Sequence, residues 1–420
     1  MKIVSSTNAS VTEIAAIIPS PVKVCMHILS SVRTEVRAKR AATALAEVGF
    51  AVSIFDVEGE GECAQPAEED IGGVRVKHLI VPKSFITTRF TRWALVRAAR
   101  LFIRATLKLL RTPADVYHAL DLPALPACYL AARLRRKPLI FEAYELPLST
   151  LPLSEMSTSR RWLHALLAPL LGLMVPRCAG VITVAPPIVD ELRRSYHIPE
   201  VALVRNVPAY REVRKSDRLR QHLGLGPEVR IALYQGYLQP DRSLDRLIRA
   251  AVFLERDTVI VMMGKGDGAT LSQLEALIAS EGVADRVKIL PPVPYEELLD
   301  WTASADIGLT LFSPAYSLSI RMTLPNKLFE YLMAGLPVLT SSLDAIVAVI
   351  NTYDVGQVVT SLAPANIGAA INSMLADHEA LARMSCNALK AAKDEFYWEK
   401  ESQELIRLYQ NILAAQHAKQ

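Results

Sequence analysis

Short apolar runs alternate along this chain with segments whose apolar residues recur at helical spacing. One series of runs lies between residues 22 and 207, and a second lies between residues 230 and 360. Many of the runs are continuously apolar, which is typical of strands buried on both faces of a parallel sheet. Two blocks of alternating strands and helices predict an α/β protein with two doubly wound parallel-sheet domains.

The same pattern predicts the domain boundaries. We expect a loose leader at 1–20, an N-terminal Rossmann-like domain at 21–208, a polar linker at 209–229 and a C-terminal Rossmann-like domain at 230–395. The final helical pattern, 396–420, has one apolar face, so we expect it to pack, with the N-terminal domain as a candidate surface. Open sheets of this kind bind ligands at the carboxyl ends of their strands, which would face a cleft between the domains.

Composition narrows the class of protein only modestly. The chain has 420 residues, of which 51% are apolar, so each domain can bury a core, and its net charge is +4. Five scattered cysteines without a CxxC pair suit a reducing compartment and indicate no zinc site. The first 20 residues lack a signal-peptide pattern, and the longest apolar stretch, 162–175, is shorter than the roughly 20 residues that cross a bilayer. We therefore expect a cytoplasmic protein.

The most informative segment is TLPNKLFEYLMAGLPVLTSS, residues 323–342. It predicts a short helix that Thr323 caps and that has Pro325 in its first turn. An apolar stripe includes Leu328, while Asn326, Lys327 and Glu330 share another face. A helix N-terminus beside a cation, an amide and a carboxylate can hold a phosphate and a pair of sugar hydroxyls. The alternative is an ordinary amphipathic helix with a solvated Lys–Glu pair.

Two loops that precede this helix carry further candidates. Gly236 follows the run at 230–236, and Arg242 stands just before the next predicted helix, where a cation could clamp an anionic ligand. Gly264 and Lys265 follow the run at 258–264, and glycines there would let the backbone approach a ligand closely. Taken singly, each loop has a simpler interpretation. Arg242 could be a surface arginine paired with a neighbouring aspartate, and the loop at Gly264 could be a plain tight turn.

The order of these pieces is more specific than any one of them. YQGYLQPDRS, MMGKGDG, VPYEELLDWTASAD and LPNKLFEYLMAGLPV follow one another over roughly 230–360. This succession resembles the second half of retaining glycosyltransferases with the GT-B fold, in glycosyltransferase family 4, and the LPNKLFEY version resembles a subgroup of that family.

The resemblance implies a role for each candidate in the second half. Glu330 matches the ribose-binding carboxylate and Arg242 a diphosphate-binding cation, and the amides near Asn326 and Lys327 would face the diphosphate. The implied donor-binding set is Gly236, Arg242, Gly264, Lys265, Pro325, Asn326, Lys327, Leu328 and Glu330. Two positions depart from the family pattern, since Met322 stands where a second glutamate is frequent and Tyr237 follows the first glycine.

The first half resembles the same family less closely. In ADVYHALDLPALPACYLAARLRRKPLIFEAYEL, His118 is expected to end its strand at the mouth of the cleft, with Asp121 on the following loop. The resemblance makes His118 catalytic, together with Arg242 and Glu330, and places His118, Asp121 and Glu145 on the acceptor side. A histidine satisfied inside the cleft wall is the alternative. Tyr144 stands where many relatives have histidine.

The activity that the resemblance implies is retaining transfer of a sugar from a nucleotide sugar to an acceptor hydroxyl. UDP-sugars are favoured and GDP-sugars come next, no cofactor is expected, and the absence of a DxD motif suits metal-independent transfer. The acceptor would be a carbohydrate or a lipid-linked sugar, as in polysaccharide assembly. A non-hydrolysing nucleotide-sugar epimerase and a non-catalytic scaffold of the same fold, partnering another transferase, stay open as alternatives.

A basic flank suggests contact with a membrane. Residues 71–114 contain no aspartate or glutamate, and a basic amphipathic helical pattern runs through 89–111. Such a helix is typical of binding at an anionic membrane surface, so the protein could lie on the inner face of the plasma membrane. The alternative is a helix packed on the core with a solvated basic face. No base-reading motif is present, so we expect no nucleic-acid partner.

Overall fold

The computed structural model of the protein describes residues 21–59, 66–82, 94–149, 158–239 and 242–418. The predicted leader at 1–20 lies outside the described residues, as does the part of the basic flank at 83–93. Within the described part, two separate parallel sheets confirm the predicted fold class.

An eight-stranded sheet organises the N-terminal domain, with strand order β3-β4-β2-β1-β5-β6-β7-β8. Neighbouring strands are parallel except for the pair β3 and β4. The strands are β1 (Lys23–His27), β2 (Ala51–Gly59), β3 (Glu68–Ile71), β4 (Val74–Val81), β5 (Val116–Leu120), β6 (Leu139–Ala143), β7 (Gly180–Thr183) and β8 (Ala202–Leu203). The helices between them are α1 (Val36–Glu47), α2 (Ala94–Arg111), α3 (Leu125–Arg135), α4 (Thr158–Met174) and α5 (Pro186–Tyr196).

The C-terminal domain is built on a six-stranded parallel sheet with strand order β11-β10-β9-β12-β13-β14. Its strands are β9 (Arg230–Gln235), β10 (Thr258–Met263), β11 (Val287–Leu290), β12 (Ile307–Thr310), β13 (Val338–Ser341) and β14 (Gly356–Val359). Its helices are α6 (Arg218–Leu223), α7 (Leu244–Ala250), α8 (Gly268–Ser280), α9 (Tyr295–Thr302), α10 (Leu318–Met322), α11 (Asn326–Met333), α12 (Asp344–Tyr353), α13 (Pro364–Ala376) and α14 (His378–Asp394). Strands β9, β10 and β12 are buried along almost their whole length, as a sheet covered on both faces requires.

The end of the chain returns to the N-terminal domain. The last helix, α15 (Trp398–His417), begins where the Trp398 amide donates to the carbonyl of Pro208 at 2.9 Å. Its Glu401 carboxylate accepts from the Arg205 guanidinium at 2.6 Å, and Tyr409 is fully buried. These contacts tie the C-terminal helix to the strand that closes the N-terminal sheet.

The segment at 209–229 contains α6, which packs on the C-terminal domain. Arg220 of α6 donates to the Asp306 carboxylate at 2.5 Å, and the Leu219 amide donates to Ser304 Oγ at 3.2 Å. Among the residues that the structure describes, no helix is both long and apolar enough to span a bilayer.

Candidate active site

A cavity of about 720 Å³ lies between the two domains. Its walls come from the residues that follow the strands, such as Tyr144 after β6 and Gly264 after β10. Both sheets are parallel here, so their strands deliver these loops to one cleft, where open α/β sheets bind ligands. Most of the predicted donor-side residues meet in this cavity, namely Gly236, Arg242, Gly264, Lys265, Pro325, Asn326, Lys327 and Glu330.

The N-cap of helix α11 lies two positions later than predicted. Its N-cap is Pro325, and Thr323 instead ends the preceding helix, α10, so the prediction that Thr323 caps α11 is wrong. Proline has no amide hydrogen to lose and favours the extended conformation seen here, which makes it a sharp start for the helix. At the other end Gly335 has φ +70°, the left-handed conformation that ends many helices at glycine.

The polar face of α11 is buried rather than solvated. Lys327 is 9% exposed and Glu330 is 8% exposed, and the whole run from 327 to 333 is buried. An ordinary amphipathic surface helix would expose this pair to water, so the solvated interpretation of the segment does not hold. The two charges lie at a cavity wall, where a ligand could reach them.

A chain of hydrogen bonds fixes the carboxylate of Glu330. Gln235 Nε2 donates to Glu330 Oε2 at 2.6 Å, and Thr302 Oγ1 donates to Gln235 Oε1 at 2.7 Å. Burial raises the pKa of Glu330, while the Gln235 hydrogen bond and the charges of Arg40 and Lys327 oppose that rise. The carboxylate is thus held in one orientation with acceptor capacity directed at the cavity.

The ammonium group of Lys327 is held over aromatic rings. Its Nζ lies 3.6 Å from the ring centroid of Tyr234 and 5.3 Å from that of Phe312. The Arg242 guanidinium lies 5.0 Å from the centroid of the same Phe312 ring. Cation–π contact fixes the place of a charge, so these rings hold both cations at the cavity wall.

Two glycines allow the strand ends to approach each other. A Cβ on Gly264 would lie 1.7 Å from the carbonyl oxygen of Gly236, which leaves no room for any other residue. Gly236 itself has φ +122°, a conformation that side chains rarely adopt, and a Cβ there would lie 3.3 Å from Lys327 Nζ. Lys265, the residue after Gly264, is exposed at the rim of the cavity.

Leu328 does not belong to the cavity, and its placement in the donor site is wrong. Its side chain is fully buried in the hydrophobic core, and its amide donates to the Pro325 carbonyl at 3.0 Å. The resemblance implied the donor role, but consecutive residues on a helix point in different directions, and Leu328 belongs to the apolar stripe.

His118 is not at the mouth of the cleft, so that expectation is also wrong. It lies within β5, fully buried, with Nδ1 hydrogen-bonded to Tyr409 Oη at 2.8 Å and Nε2 3.1 Å from Glu142 Oε2. It does not line the cavity. The structure therefore places His118 inside the wall, as the alternative has it, with Nδ1 hydrogen-bonded to Tyr409 and Nε2 close to Glu142 but without a hydrogen bond of good geometry in the described part of the chain.

The other predicted acceptor-side residues lie nearer the cavity. Glu145 is exposed and lines it, whereas Asp121 is half-buried on the loop after β5 and does not. Asp121 has φ +67°, and burial raises the pKa of its carboxyl group. The Asp121 amide donates to the carbonyl of Glu142 at 2.8 Å, which links this loop to the end of β6, just before Tyr144 and Glu145.

Gln235 and Arg37 are among the wall residues that sequence reasoning missed. Gln235 carries a visible signal, a polar residue that ends an otherwise apolar strand. Arg37 on α1 carries none, because its partner Glu142 is more than a hundred positions away. Arg37 is 4% exposed, its Nε donates to Glu142 Oε1 at 2.6 Å, and its guanidinium lines the cavity. Although burial alone would raise the pKa of Glu142, Arg37 and then His118 lower it to about 2.

A separate polar cluster in the N-terminal domain has metal-ligand chemistry. Asp56, Glu58 and His78 are buried with their ligand atoms within 4.8 Å of one another. His78 Nδ1 lies 2.7 Å from Asp56 Oδ1 and its Nε2 lies 3.2 Å from Glu69 Oε1, so both ring nitrogens already face carboxylates. None of these residues lines the cavity, and metal-independent transfer stays a prediction.

Two facing parallel sheets with a charged cavity between them define the class of protein, a GT-B architecture. The family model "Glycosyltransferase Family 4" matches residues 34–207, and the model "Glycosyl transferases group 1" matches residues 215–391. The chain is thus built from two glycosyltransferase family domains, as the sequence motifs predicted.

Known proteins agree with this assignment. D-inositol 3-phosphate glycosyltransferase from Thermobispora bispora is 28% identical over 242 residues, 54% of each chain, and that from Nocardia farcinica is 30% identical over 202 residues, 46% of this chain and 43% of the relative. The chain thus spans about half the length of the curated relatives that it matches.

Solved structures share the fold over nearly the whole chain. Sucrose-phosphate synthase from Thermosynechococcus elongatus has a TM-score of 0.76 at 16% identity, covering 94% of this chain and all of the other. HepE from Anabaena, in complex with UDP and glucose, has a TM-score of 0.70 at 14% identity, covering 93% of this chain and all of the other. WaaG, a glycosyltransferase involved in lipopolysaccharide biosynthesis, has a TM-score of 0.64 at 18% identity, covering 91% and 98%.

Proposed function

We propose that the protein transfers a sugar from a nucleotide diphosphate sugar to an acceptor hydroxyl, with retention of configuration. The observation that carries the proposal is the buried Lys327–Glu330 pair at the interdomain cavity, with Glu330 held in place by Gln235. Burying a carboxylate and a cation carries a desolvation cost, and a ligand that contacts both groups would help to offset it. A nucleotide sugar does so, because its ribose presents hydroxyl donors and its diphosphate presents negative charge.

Each side chain has a distinct part in this proposal. The Glu330 carboxylate accepts hydrogen bonds from the ribose hydroxyls. Lys327, Arg242 and Lys265 surround the diphosphate, together with the first amides of α11. UDP is our first choice of nucleotide and GDP the second. The solved neighbour HepE has been captured with UDP-glucose, which supports a UDP-sugar here.

The proposed chemistry needs little from the protein beyond placement and charge. The bond between the sugar's anomeric carbon and the diphosphate oxygen breaks, and a bond from that carbon to the acceptor oxygen forms on the same face. The acceptor's proton passes to the departing diphosphate. The cations stabilise the negative charge that develops on the leaving group, which is the largest contribution an enzyme of this type can make.

A donor-binding experiment tests the proposal. Purified protein is mixed with UDP-, GDP- and dTDP-sugars in a thermal-shift panel, and slow release of nucleotide diphosphate is then measured with the best donor. A ligand at 100 times its dissociation constant stabilises by about 2.7 kcal/mol, which is readily detected. Glu330→Ala should abolish release, and Glu275→Ala, on the exposed side of α8, is the matched control.

The same assay separates the alternatives. A scaffold would bind no donor or release no nucleotide, and an epimerase would convert the sugar while it stays attached to the nucleotide. An unchanged rate of release in the Glu330→Ala variant would show that the donor site is elsewhere.

We further propose that the N-terminal domain rests on an anionic membrane, which would bring a lipid-linked acceptor to the cleft. Exposed apolar side chains follow one face of α4, at Trp162, Leu166, Leu170 and Leu173, and Trp162 is 75% exposed. Helix α2 exposes apolar Phe102, Ile103 and Leu107 beside Arg100 and Arg104. Apolar side chains interleaved with cations, on helices of one domain, suit the headgroup region of a bilayer.

Flotation with vesicles containing anionic lipid tests the membrane proposal. Arg97/Arg100/Arg104→Glu should lose flotation, and Trp162→Ser should weaken it. Equal flotation by wild type and the triple variant would contradict the proposal. Vesicles of neutral lipid are the control for non-specific adsorption, since the cations lose their attraction there.

A further inference from the structure

The polar cluster of Asp56, Glu58 and His78 is placed by the register of two strands. Asp56 of β2 is the direct neighbour of His78 on β4, and Glu58 follows Asp56 by two positions, so all three side chains lie on one face of the sheet. The three residues are 0%, 5% and 3% exposed, and their ligand atoms lie within 4.8 Å of one another. The backbone pairing thus brings two carboxylates and an imidazole together in the interior.

The negative charge of this cluster is only partly balanced. Glu69 on β3 adds a third carboxylate, with Oε1 3.2 Å from His78 Nε2. Besides His78, the cation that reaches these carboxylates in the described part of the chain is Arg33, whose Nε lies 3.8 Å from Glu58 Oε1 and whose side chain is 38% exposed. A solvated guanidinium compensates buried charge weakly, so a bound cation would stabilise the cluster.

One carboxylate oxygen of the cluster has no partner. Glu58 Oε1 accepts from Ser31 Oγ at 2.7 Å, but Glu58 Oε2 is buried and accepts no hydrogen bond from any residue that the structure describes. The same carboxylate lies beside the imidazole, with Oε1 3.7 Å from His78 Nδ1. An orphaned oxygen on a buried carboxylate indicates a further partner, such as an ion or a water molecule.

From these observations we infer that Asp56, Glu58 and His78 bind a divalent transition-metal ion, with zinc as the best match. Imidazole nitrogen and carboxylate oxygen bind Zn²⁺ at about 2.0–2.2 Å, which puts neighbouring ligands of a tetrahedron roughly 3.4 Å apart. The separation of His78 Nδ1 from Glu58 Oε1, 3.7 Å, is close to that spacing. This ligand set contains no thiolate, so cysteine spacing gives no signal of it.

The ion takes the place of a proton. His78 Nδ1 and Asp56 Oδ1 are 2.7 Å apart and share a hydrogen, which is released to solvent when both atoms bind the metal, and the two atoms then move apart by less than 1 Å to reach the tetrahedral spacing. Glu58 contributes Oε1 and the orphaned Oε2, which completes the four ligand atoms typical of a structural zinc site.

The side chains around the cluster suit a metal-bound histidine. With the metal on Nδ1, the remaining ring proton of His78 is on Nε2 and is donated to Glu69. A carboxylate that accepts from the second ring nitrogen fixes the tautomer and the orientation of a ligating histidine, and it is the usual outer partner of such a ligand. Glu69 therefore acts through His78 as a positioning residue.

The site also holds the loop that follows β1. Asp56 Oδ2 accepts from the Val32 amide at 2.9 Å, and Ser31 Oγ donates to Glu58. This loop continues to Thr34 in the wall of the interdomain cavity. The three ligands themselves do not line the cavity, so the metal stabilises the loop and takes no part in the transfer step.

Zinc binding by the full chain tests the inference. Protein without a histidine tag is stripped with EDTA, and exposed thiols such as Cys386 are alkylated so that they do not compete for metal. After dialysis against Zn²⁺ and then against metal-free buffer, bound zinc is counted by mass spectrometry. We expect one zinc ion per chain. The unfolding temperature should rise with Zn²⁺ and stay unchanged with Mg²⁺, which takes oxygen ligands and keeps several waters.

Three variants locate the site. Glu58→Gln should lose both the retained zinc and the zinc-induced rise in unfolding temperature. Glu69→Gln should raise the zinc dissociation constant about 10- to 100-fold, the usual effect of changing an outer partner. Glu68→Gln is the matched control, because this neighbour on β3 has a 54% exposed side chain and pairs with Lys77. Unfolding is compared with and without zinc for each variant, so a change in metal-free stability is not mistaken for lost binding.

Several results would overturn the inference. Wild type that retains no zinc would show that the cluster is a histidine linked to carboxylates, or that it holds water. Equal zinc retention by wild type and Glu58→Gln would place the metal elsewhere, and an equal rise with Mg²⁺ would exclude a role for the imidazole. If Glu58→Gln does not fold, an unchanged zinc dissociation constant in Glu69→Gln overturns it. None of these measurements uses a nucleotide sugar, so they are independent of the proposed function.

Discussion

Glu330→Gln should weaken donor binding and at the same time stabilise the free protein. The carboxylate is buried, and burial raises its pKa, so folding without ligand disfavours the charged form relative to the unfolded chain. Glutamine keeps the size of the side chain and can still accept the hydrogen bond from Gln235, which is 2.6 Å long in the wild type. What the substitution removes is the negative charge that the proposed ribose hydroxyls use.

The two effects have predictable signs and sizes. A hydrogen bond to a charged group contributes about 1.5–3 kcal/mol, which corresponds to about a 10- to 150-fold loss in donor affinity. Stability moves the other way. A carboxyl group whose pKa is higher in the folded than in the unfolded state lowers stability at pH values above its unfolded pKa, which is about 4.3. The variant should therefore gain stability over wild type at pH 7 and match it more closely near pH 4.

Two measurements on the same preparations check the prediction. Urea unfolding at pH 7 and pH 4 gives the stability difference, and isothermal titration with the preferred nucleotide sugar gives the affinity. Glu275→Gln, an exposed carboxylate on α8, should change neither quantity. A variant that is less stable at pH 7 and still binds donor normally would refute both the electrostatic reasoning and the ribose role.

Further predictions concern the buried carboxylate of Glu142 and the close approach of Gly264 to Gly236. Glu142 has a pKa of about 2 against 4.5 normally, because Arg37 and His118 together outweigh the effect of burial. Its stabilisation is therefore complete above pH 4.5 and is lost as the pH falls toward 2. Between pH 6 and pH 3 the wild type should lose about 2 kcal/mol of its free energy of unfolding through this group, measured by urea titration. The Glu142→Gln variant should be less stable at pH 6 and should not show this loss. Parallel plots of unfolding free energy against pH for the two proteins would contradict the assignment. Gly264→Ala should abolish donor binding or folding, because its Cβ would overlap the Gly236 carbonyl, whereas Gly268→Ala, with open space around it, should be tolerated in thermal unfolding. Equal effects of Gly264→Ala and Gly268→Ala on stability and donor binding would show that the backbone at Gly236 can move to make room.

The donor side could be predicted from sequence because its residues are local and ordered. Lys327 and Glu330 lie on one short helix, and Gly236 and Gly264 each follow an apolar strand. In a parallel sheet the carboxyl ends of neighbouring strands lie together whatever their side chains are. A correct prediction of the strands therefore also predicts where the following loops lie. The errors at Thr323 and Leu328 are of another kind, since a two-residue shift in a helix start or a 100° step around a helix changes what a side chain touches.

The acceptor side could not be predicted in the same way, because its chemistry depends on pairs that are distant in sequence. His118 is a residue type suited to catalysis, and it lies in a segment that resembles the family. Whether its side chain lines the cleft, however, depends on which element packs against its side of the sheet. Here the covering element is α15, which places Tyr409 against His118 from almost three hundred positions away. With His118 buried behind the wall, the first-half residues that line the cavity include Arg37 and Tyr144 instead. The position where many relatives have histidine is thus filled by a tyrosine whose pKa burial raises well above its usual value, so it stays neutral where a histidine could carry a charge.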